Sequence, residues 1–252
     1  MIISHKYRFI FIHSRKTAGS SVTMSLARYL GPFDIQVGVH GDSLRMGIWP
    51  NLNAIIGLLN PSSSLVFVKN LLKGKSVADS FNAANKSRYM HICDQPAHAG
   101  AREIRKSYPV EWESYTKICV VRNPYDRIIS DYHWSTRNLS FDDKPTFEEF
   151  CKLLKEGKRE DLSFIPKRYD NWLLYTIDNK LAVDIVIRYE NLIPELNSTM
   201  IKLDIPWDGW LPNAKATKNK SKNKISHSQL TKIIVANLFE NEISEFGFKE
   251  DS

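Results

Sequence analysis

The chain is most informative at Arg15-Lys16-Thr17-Ala18-Gly19-Ser20-Ser21, which follows a strand-like run, residues 8–13, and precedes a helix-like run, residues 22–30. A strand, a turn of small residues and a helix N-terminus bring backbone N–H groups and the positive end of the helix dipole to the turn. Lys16 adds a mobile positive charge, and the three hydroxyl residues add short hydrogen-bond donors. This pattern predicts a loop that binds a phosphate or a similar anion.

The loop has two other interpretations. In the first, Ser20 or Ser21 only caps the helix and Lys16 is solvated. In the second, the loop is a nucleoside-triphosphate P-loop, whose signature Gly-x-x-x-x-Gly-Lys-Ser/Thr begins with a glycine and has its lysine after the second glycine. Here Arg15 stands four residues before Gly19, and Lys16 precedes the small residues. This order disfavours a kinase or a GTPase.

A second segment, Arg122-Asn123-Pro124-Tyr125-Asp126-Arg127-Ile128-Ile129-Ser130, directly follows residues 115–121, which read as a buried strand. Pro124 suits the first turn of a helix, where its missing N–H costs nothing. Arg122 therefore falls at the carboxyl end of the strand, where ligands of open parallel sheets bind, and Ser130 falls on the helix. The other interpretation of Arg122 or Arg127 is an ion-paired surface residue.

Together, the two segments resemble the PAPS-dependent sulfotransferases, most closely the carbohydrate-type branch that includes the heparan and dermatan 2-O-sulfotransferases and bacterial relatives. The resemblance implies that Arg122 and Ser130 hold the 3′-phosphate of the donor, PAPS. In the family the residue before the loop lysine is usually proline or small, so Arg15 is a departure that adds charge near the sulfate. The residues implied to hold the 5′-phosphosulfate are Lys16, Thr17, Ala18, Gly19, Ser20 and Ser21.

The resemblance extends, with less specific motifs, to residues 187–192 and to a basic segment, residues 213–225. Residues 215–224 contain five lysines and no acidic residue. Family members close a basic segment of this region over the donor, which implies donor contacts for Asn219 and Ser221. The other interpretation of the segment is a solvated charge run.

Transfer to a hydroxyl group needs a base, because the hydroxyl pKa lies far above neutrality, and histidine is the usual choice. Among the seven histidines, His98 lies between a predicted strand and a predicted helix, upstream of Arg122. The 2-O-sulfotransferases carry their catalytic histidine in the same interval. The resemblance therefore implies His98 as the base, acting with Lys16. A helix cap or a substrate contact is the other interpretation of His98, and His91 is the second candidate for the base.

Alternating strand-like and helix-like runs predict an α/β fold. We expect one sulfotransferase domain, residues 1–252, with a central, mostly parallel, P-loop-like sheet flanked by helices. Residues 44–64 read as a loop, and residues 31–64 form either an acceptor-site insertion or an ordinary surface excursion. The predicted strands are residues 8–13, 65–69, 89–92, 117–121 and 185–188, and the predicted helices are residues 22–30, 77–85, 99–107, 125–135, 146–156 and 191–202.

The composition agrees with this class. Of the 252 residues, 42% are hydrophobic, which is enough for a globular core. The net charge of +7 is compatible with nucleic-acid binding, but no such signature occurs, and a doubly phosphorylated donor with an anionic acceptor explains the charge equally well. Without a long apolar run or a signal-peptide pattern, we expect no transmembrane segment and a cytoplasmic location. Cys93, Cys119 and Cys151 lack metal-ligand spacing and are expected to be reduced.

The sequence therefore predicts an enzyme that moves a sulfuryl group from PAPS to a hydroxyl group of an acceptor. A carbohydrate or a glycolipid is the favoured acceptor, PAP is the expected product, and neither a metal ion nor a nucleic acid is expected to take part. Two alternatives stay open. One is a nucleotide-binding relative without activity, and the other is a phosphotransferase.

Overall fold

A computed structural model describes residues 1–157, 162, 164–166, 168–212 and 225–250 of the chain. Contacts between residues divide the chain into two compact units. Unit 1 comprises Met1–Val121 and Leu173–Lys215, and unit 2 comprises Arg122–Trp172 and Ala216–Ser252. The single-domain boundary, residues 1–252, stays a prediction.

The described residues form seven β-strands: β1 (Ile2–Ser4), β2 (Phe9–Ile12), β3 (Ile35–Gln36), β4 (Thr116–Val121), β5 (Thr176–Ile177), β6 (Lys180–Leu181) and β7 (Ile185–Arg188). Five of them form one sheet in the order β3-β1-β2-β4-β7, while β5 and β6 pair separately. Strands β2, β4 and β7 run parallel, and β1 is antiparallel to β2 and β3. The predicted α/β fold with a central sheet flanked by helices is confirmed.

The described residues also form thirteen α-helices: α1 (Gly19–Ala27), α2 (His40–Arg45), α3 (Leu52–Ile56), α4 (Pro61–Leu72), α5 (Val77–Ser87), α6 (Ala101–Ser107), α7 (Pro109–Ser114), α8 (Pro124–Ser135), α9 (Phe147–Glu156), α10 (Trp172–Tyr175), α11 (Leu192–Lys202), α12 (Gln229–Leu238) and α13 (Glu240–Phe246). Short 3₁₀ turns lie at Gly57–Leu59, Pro96–His98 and Tyr189–Asn191. Helices α5, α6, α8, α9 and α11 confirm five of the predicted helices, while α1 begins earlier than predicted.

The core of unit 1 lies between the sheet and helices α1 and α11. Its side chains include Phe9, Phe11, Ile118, Val120 and Ile187 from the strands and Val22, Leu26, Leu192, Leu196 and Met200 from the helices. The contributing strand positions alternate, as the period of a strand requires. Each such buried side chain stabilises the fold by about 1.5–3 kcal/mol, so the strand before the anion-binding loop and the helix after it are both firmly held.

Two of the predicted strands are wrong. Residues 65–69 lie inside helix α4, which begins after Asn60, whose side chain accepts a hydrogen bond from the backbone N–H of Ser62, and has Pro61 at its first position. These are start signals of a helix, and they outweigh the strand preference of the apolar run that follows. Residues 89–92 form turns after α5 instead of a strand.

The loop predicted at residues 44–64 is also wrong for most of its length. It contains helix α3, a 3₁₀ turn and the start of α4. Asn51 starts α3 by accepting a hydrogen bond from the backbone N–H of Ala54 at 3.2 Å. An asparagine cap can therefore start a helix where the spacing of the apolar residues does not predict one.

Unit 2 is helical in its described residues. Helices α8, α9 and α12 pack together, and α13 follows α12. The shared core is apolar and includes Ile128, Tyr132, Phe147, Phe150, Cys151, Leu154, Ile234, Val235 and Phe239. Burial raises the pKa of the Cys151 thiol to about 12, so this cysteine is an uncharged core residue.

Candidate active site

The loop between β2 and α1 has an unusual backbone. Lys16 (φ 57°) and Ala18 (φ 60°) both adopt left-handed conformations, which are costly for residues other than glycine. The Thr17 hydroxyl stabilises the turn by donating to the Ser14 carbonyl oxygen at 3.2 Å. Left-handed residues in such a turn direct successive N–H groups toward a common point, where they form an anion-binding concavity.

The start of helix α1 favours a negatively charged ligand. Ala18, its N-cap residue, has no side chain that could satisfy the first N–H groups, and the first turn holds no acidic residue. Ser20 and Ser21 are buried in that turn. The Ser14 hydroxyl is also buried, and it makes no hydrogen bond to any part of the chain that the structure describes. An anion with several oxygen atoms fits this set of donors.

Gly19 is required by a close approach rather than by its backbone conformation. A Cβ atom at this position would lie 2.1 Å from Cδ2 of His13, well inside van der Waals contact. The His13 ring is buried. The helix start and the end of β2 are therefore packed against each other through this ring.

His98 contacts the same loop. Its Nδ1 atom lies 2.7 Å from the backbone carbonyl oxygen of His13, and the two imidazole rings are 4.6 Å apart between centroids. A carbonyl oxygen only accepts, so Nδ1 carries the proton and donates. In the neutral ring the lone pair then resides on Nε2. This is the tautomer that a base acting through Nε2 requires.

The 3₁₀ turn that carries His98 is held from two sides. The backbone nitrogen of Met1 donates to the Ala97 carbonyl oxygen at 2.7 Å. Gly38 (φ +81°) lies so close that a Cβ atom there would be 2.8 Å from the Ala97 Cβ. These contacts place His98 on a rigid support, which is what a positioned proton acceptor needs.

His40 lies two residues after Gly38, at the start of α2. It is buried, with Nε2 3.1 Å from the Gln36 carbonyl oxygen and its ring edge-on to Phe81. Burial lowers the pKa of His40 to about 4, so it is neutral at physiological pH.

His91, the second candidate for the base, lies elsewhere. It is exposed in the turn after α5, and its Nδ1 atom is 3.0 Å from the Arg88 carbonyl oxygen. Of the two histidines, His98 is the one that contacts the loop.

The second predicted segment begins unit 2. Arg122 and Ser130 are half-buried, Arg122 directly after β4 and Ser130 on α8. Asn123, which the sequence interpretation passed over, caps α8 by accepting from the Tyr125 N–H at 3.1 Å, and its amide donates to the Lys249 carbonyl oxygen at 2.6 Å. An asparagine followed by proline is a helix start signal that could have identified this role.

Arg127 is ion-paired, as one interpretation had it, but it is buried and not on the surface. Its guanidinium pairs with the buried carboxylate of Glu242, donates to the Tyr169 carbonyl oxygen at 3.0 Å and lies 4.6 Å from the centre of the Phe239 ring. Arg127 therefore joins three segments of unit 2 and has a structural role.

The two parallel strands before the motifs end at the same edge of the unit 1 sheet. β2 and β4 are neighbours, with Ile12 opposite Cys119. The anion-binding loop leaves the sheet at the end of β2, and β4 ends at Val121. Asn219 and Ser221, with nearly all of the basic segment 213–225, lie outside the described residues.

A family model described as Sulfotransferase family matches residues 1–248. The chain belongs to the sulfotransferase family. The match includes the loop, His98, Arg122 and Ser130, so the whole set of predicted site residues lies within the family region of this sequence. Sulfotransferases transfer a sulfuryl group to a hydroxyl-bearing acceptor.

Curated proteins add little to this assignment. The sulfotransferase is 32% identical over 116 residues to the Muscle-specific protein 300 kDa of Drosophila melanogaster. The aligned region is 41% of this chain and 1% of that protein, so the chain spans only a small part of that relative's length. No solved structure matches the chain significantly.

The described part of the sulfotransferase holds no group of three or more His, Cys, Asp or Glu side chains arranged to bind a metal ion. That the reaction needs no metal stays a prediction.

Proposed function

We propose that this sulfotransferase uses PAPS as donor and transfers its sulfuryl group to a hydroxyl group of a carbohydrate or glycolipid, with His98 as the base. The observation that supports this most is the 2.7 Å contact between His98 Nδ1 and the His13 carbonyl oxygen, next to the anion-binding loop. It brings the His98 imidazole and the backbone N–H groups of the loop into one part of unit 1.

The loop residues are proposed to bind the 5′ end of the donor. Backbone N–H groups of residues 17–21 and the hydroxyls of Ser20 and Ser21 would hold phosphate and sulfate oxygens, with Arg15 adding charge. When bound, PAPS supplies a sulfuryl group whose S–O bond to the 5′-phosphate breaks as a new S–O bond forms to the acceptor oxygen, which leaves PAP. Lys16 would stabilise the negative charge that develops on the departing phosphate oxygen.

Four further donor contacts rest on the family resemblance. Arg122 and Ser130 are proposed to hold the 3′-phosphate, and their partial exposure is compatible with that role. Asn219 and Ser221 are proposed to contact the donor from the basic segment.

His98 is proposed to take the proton of the acceptor hydroxyl on Nε2 as the oxygen attacks sulfur. The Nδ1–H group keeps donating to the His13 carbonyl oxygen throughout, and this hydrogen bond stabilises the imidazolium that forms. Because the bond fixes the ring, the lone pair of Nε2 points in one direction relative to the loop. A positioned base of this kind contributes roughly a hundredfold to ten-thousandfold in rate.

The experiment that tests this function is incubation of the protein with PAPS and a panel of oligosaccharides, glycolipids and phenols. Mass spectrometry should show the gain of one sulfuryl group on a carbohydrate-bearing acceptor, together with formation of PAP. Lys16→Ala, which lacks the charge at the departing oxygen, is the matched control and should lose most of the activity.

The same panel with ATP in place of PAPS tests the phosphotransferase alternative. Phosphate transfer from ATP would contradict the proposed donor. Tight PAP binding without transfer to any acceptor would instead favour a relative that binds the nucleotide without catalysing the reaction.

A further inference from the structure

The outward side of helix α4 is apolar, although a surface helix normally presents polar residues to water. Leu65 is 69% exposed and Leu72 is 84% exposed. Val68 lies between them on the same helix face, since the three residues follow the i, i+3, i+7 spacing. The opposite side of α4 packs against α5. Helix α4 therefore has apolar residues on the face that its partner helix leaves uncovered.

The exposed apolar residues continue into the segment before α4. Trp49 is 80% exposed, and Leu59, in the 3₁₀ turn, is also 80% exposed. Leu52, Ile55 and Ile56 of α3 are exposed as well. We call this set, from Trp49 to Leu72, the apolar surface. Clusters of large exposed apolar residues mark sites of contact with a protein or a membrane.

The charged residues of the same segment are all basic. Residues 43–78 contain no aspartate or glutamate, while Lys69, Lys73 and Lys75 are exposed at the end of α4 and just after it. Lysine side chains bordering an apolar helix face can extend toward phosphate groups while their methylene stems cover apolar surface. The segment thus combines an apolar face with a positive border.

The two helical parts cannot cross a bilayer as a straight span. No single helix among the described residues is long and apolar enough to cross a membrane. Leu52–Leu59 and Pro61–Leu72 are long and apolar enough when taken together, but the chain bends by 89° between them. Helix α4 has 12 residues, about 18 Å, against a hydrocarbon thickness of about 30 Å. Short apolar helices with a positive border lie in the plane of the membrane interface.

We propose that the apolar surface binds the interface of an anionic lipid bilayer. Leu59, Leu65 and Leu72 enter the boundary between headgroups and acyl chains. Trp49 sits at headgroup depth, as tryptophan does in membrane proteins. The three lysines lie against lipid phosphates and are attracted to an anionic surface.

The charge pattern favours lipid over a second copy of the chain. A second copy of the chain, docked by two-fold symmetry, would place the lysines of one surface near those of the other, which costs energy. The inference concerns residues other than those of the anion-binding loop, and it does not depend on the proposed reaction.

Co-sedimentation of the full chain with lipid vesicles tests the proposal. We expect binding to vesicles of phosphatidylcholine with phosphatidylglycerol, weaker binding to phosphatidylcholine alone, and a loss of binding at high salt. The double variant Leu65→Ser/Leu72→Ser should bind at least about tenfold more weakly, because two exposed leucines no longer enter the bilayer. Lys69→Glu/Lys73→Glu should lose the preference for the anionic vesicles.

The matched control is Val110→Ser/Phe141→Ser, which changes two exposed apolar residues outside the surface and should bind like the unchanged chain. Thermal unfolding of each variant checks that the fold is kept. The proposal is wrong if the unchanged chain binds neither kind of vesicle. It is also wrong if the leucine variant binds as tightly as the unchanged chain. A dimer in light scattering that the leucine variant abolishes would assign the surface to a second copy instead.

Discussion

The Nδ1 atom of His98 lies 2.7 Å from the backbone carbonyl oxygen of His13, so one hydrogen bond joins the 3₁₀ turn to the first residue after β2. The bond decides which nitrogen of His98 carries the proton, and it ties the position of the ring to the backbone of the loop. Because the His13 ring also packs against Gly19, the helix start and the candidate base both depend on His13. Changes at His13 or Gly19 should therefore affect both donor binding and proton transfer.

We expect His98→Ala to lower kcat by roughly a hundredfold or more, because the acceptor hydroxyl loses its base. The decline of kcat/KM toward acidic pH, which reports protonation of this imidazole, should disappear with it. The measurement is a pH–rate profile of sulfuryl transfer together with PAP binding, which should be unchanged.

His91→Ala is the matched control, since it removes an exposed histidine of the same unit. A His98→Ala enzyme that keeps its activity and its acidic decline would move the role of base to His91 or to a carboxylate.

Gly19→Ala should lower the free energy of unfolding by about 1–3 kcal/mol, because the new methyl group overlaps the buried His13 ring. It should also lower kcat, since displacement of His13 moves the carbonyl oxygen that orients His98. Urea unfolding and steady-state kinetics measure the two effects.

The His13→Ala background provides the control. There the ring is absent, and the same glycine substitution should cost little stability, so the two changes are expected to be strongly non-additive. Additive costs would show that Gly19 is needed for another reason.

We expect PAP to raise the melting temperature far more than ATP does at equal concentration, because ATP lacks the 3′-phosphate assigned to Arg122 and Ser130. A ligand at a hundred times its Kd stabilises by roughly 2.7 kcal/mol. Arg122→Ala should remove most of the difference, since a charge-assisted hydrogen bond contributes about 1.5–3 kcal/mol. Thermal shift measurements across a ligand series provide the data.

The comparison variant is Arg102→Ala, which removes an exposed arginine paired with Asp178. It should leave the PAP shift intact. Equal shifts with ATP and PAP in the unchanged chain would contradict the assignment of a 3′-phosphate site.

Local signals explain which parts of the fold were predictable. β7 forms at Ile185–Arg188 as predicted, and α8 begins at Pro124 where the sequence has a helix start signal. The loop before α1 was predictable for the same reason, because the strand, the small residues and the helix lie within one short segment. The left-handed backbone of Lys16 and Ala18 could not be predicted, because neither residue is a glycine.

Helix α4 shows where local preference misleads. The run Leu65-Val66-Phe67-Val68 has the apolar and β-branched residues typical of strands, yet it is helical and packs against α5. The pair Asn60-Pro61 gave the correct signal, the same one that starts α8 at Asn123-Pro124. Start signals were more reliable here than the residues that follow them.

The contact between His98 and His13 could not be predicted from the sequence. The two residues are 85 positions apart, and their approach depends on a 3₁₀ turn held by Gly38 and the backbone of Met1. Resemblance to a family selected His98, but no local pattern indicates that the His13 carbonyl oxygen is its partner.

The buried imidazole of His40 makes the stability of the fold depend on pH. Burial lowers the pKa of His40 from its ordinary value of 6.5 to about 4 in the folded chain. Between these two pH values the unfolded chain binds a proton that the folded chain does not, so the free energy of unfolding falls as the pH decreases. The contribution of His40 is fully present above pH 6.5 and is lost by about pH 4. It amounts to about 3 kcal/mol, since each pKa unit corresponds to about 1.4 kcal/mol.

Urea unfolding at a series of pH values between 4.5 and 7.5 measures this dependence. His40→Gln, whose amide can still donate to the Gln36 carbonyl oxygen, should show a shallower decline of stability toward acidic pH than the unchanged chain. His91→Gln is the matched control, because that histidine is exposed, and its profile should follow that of the unchanged chain. If the His40→Gln profile kept the full slope, the acid sensitivity would have to come from other groups, and the burial of His40 would not be its cause.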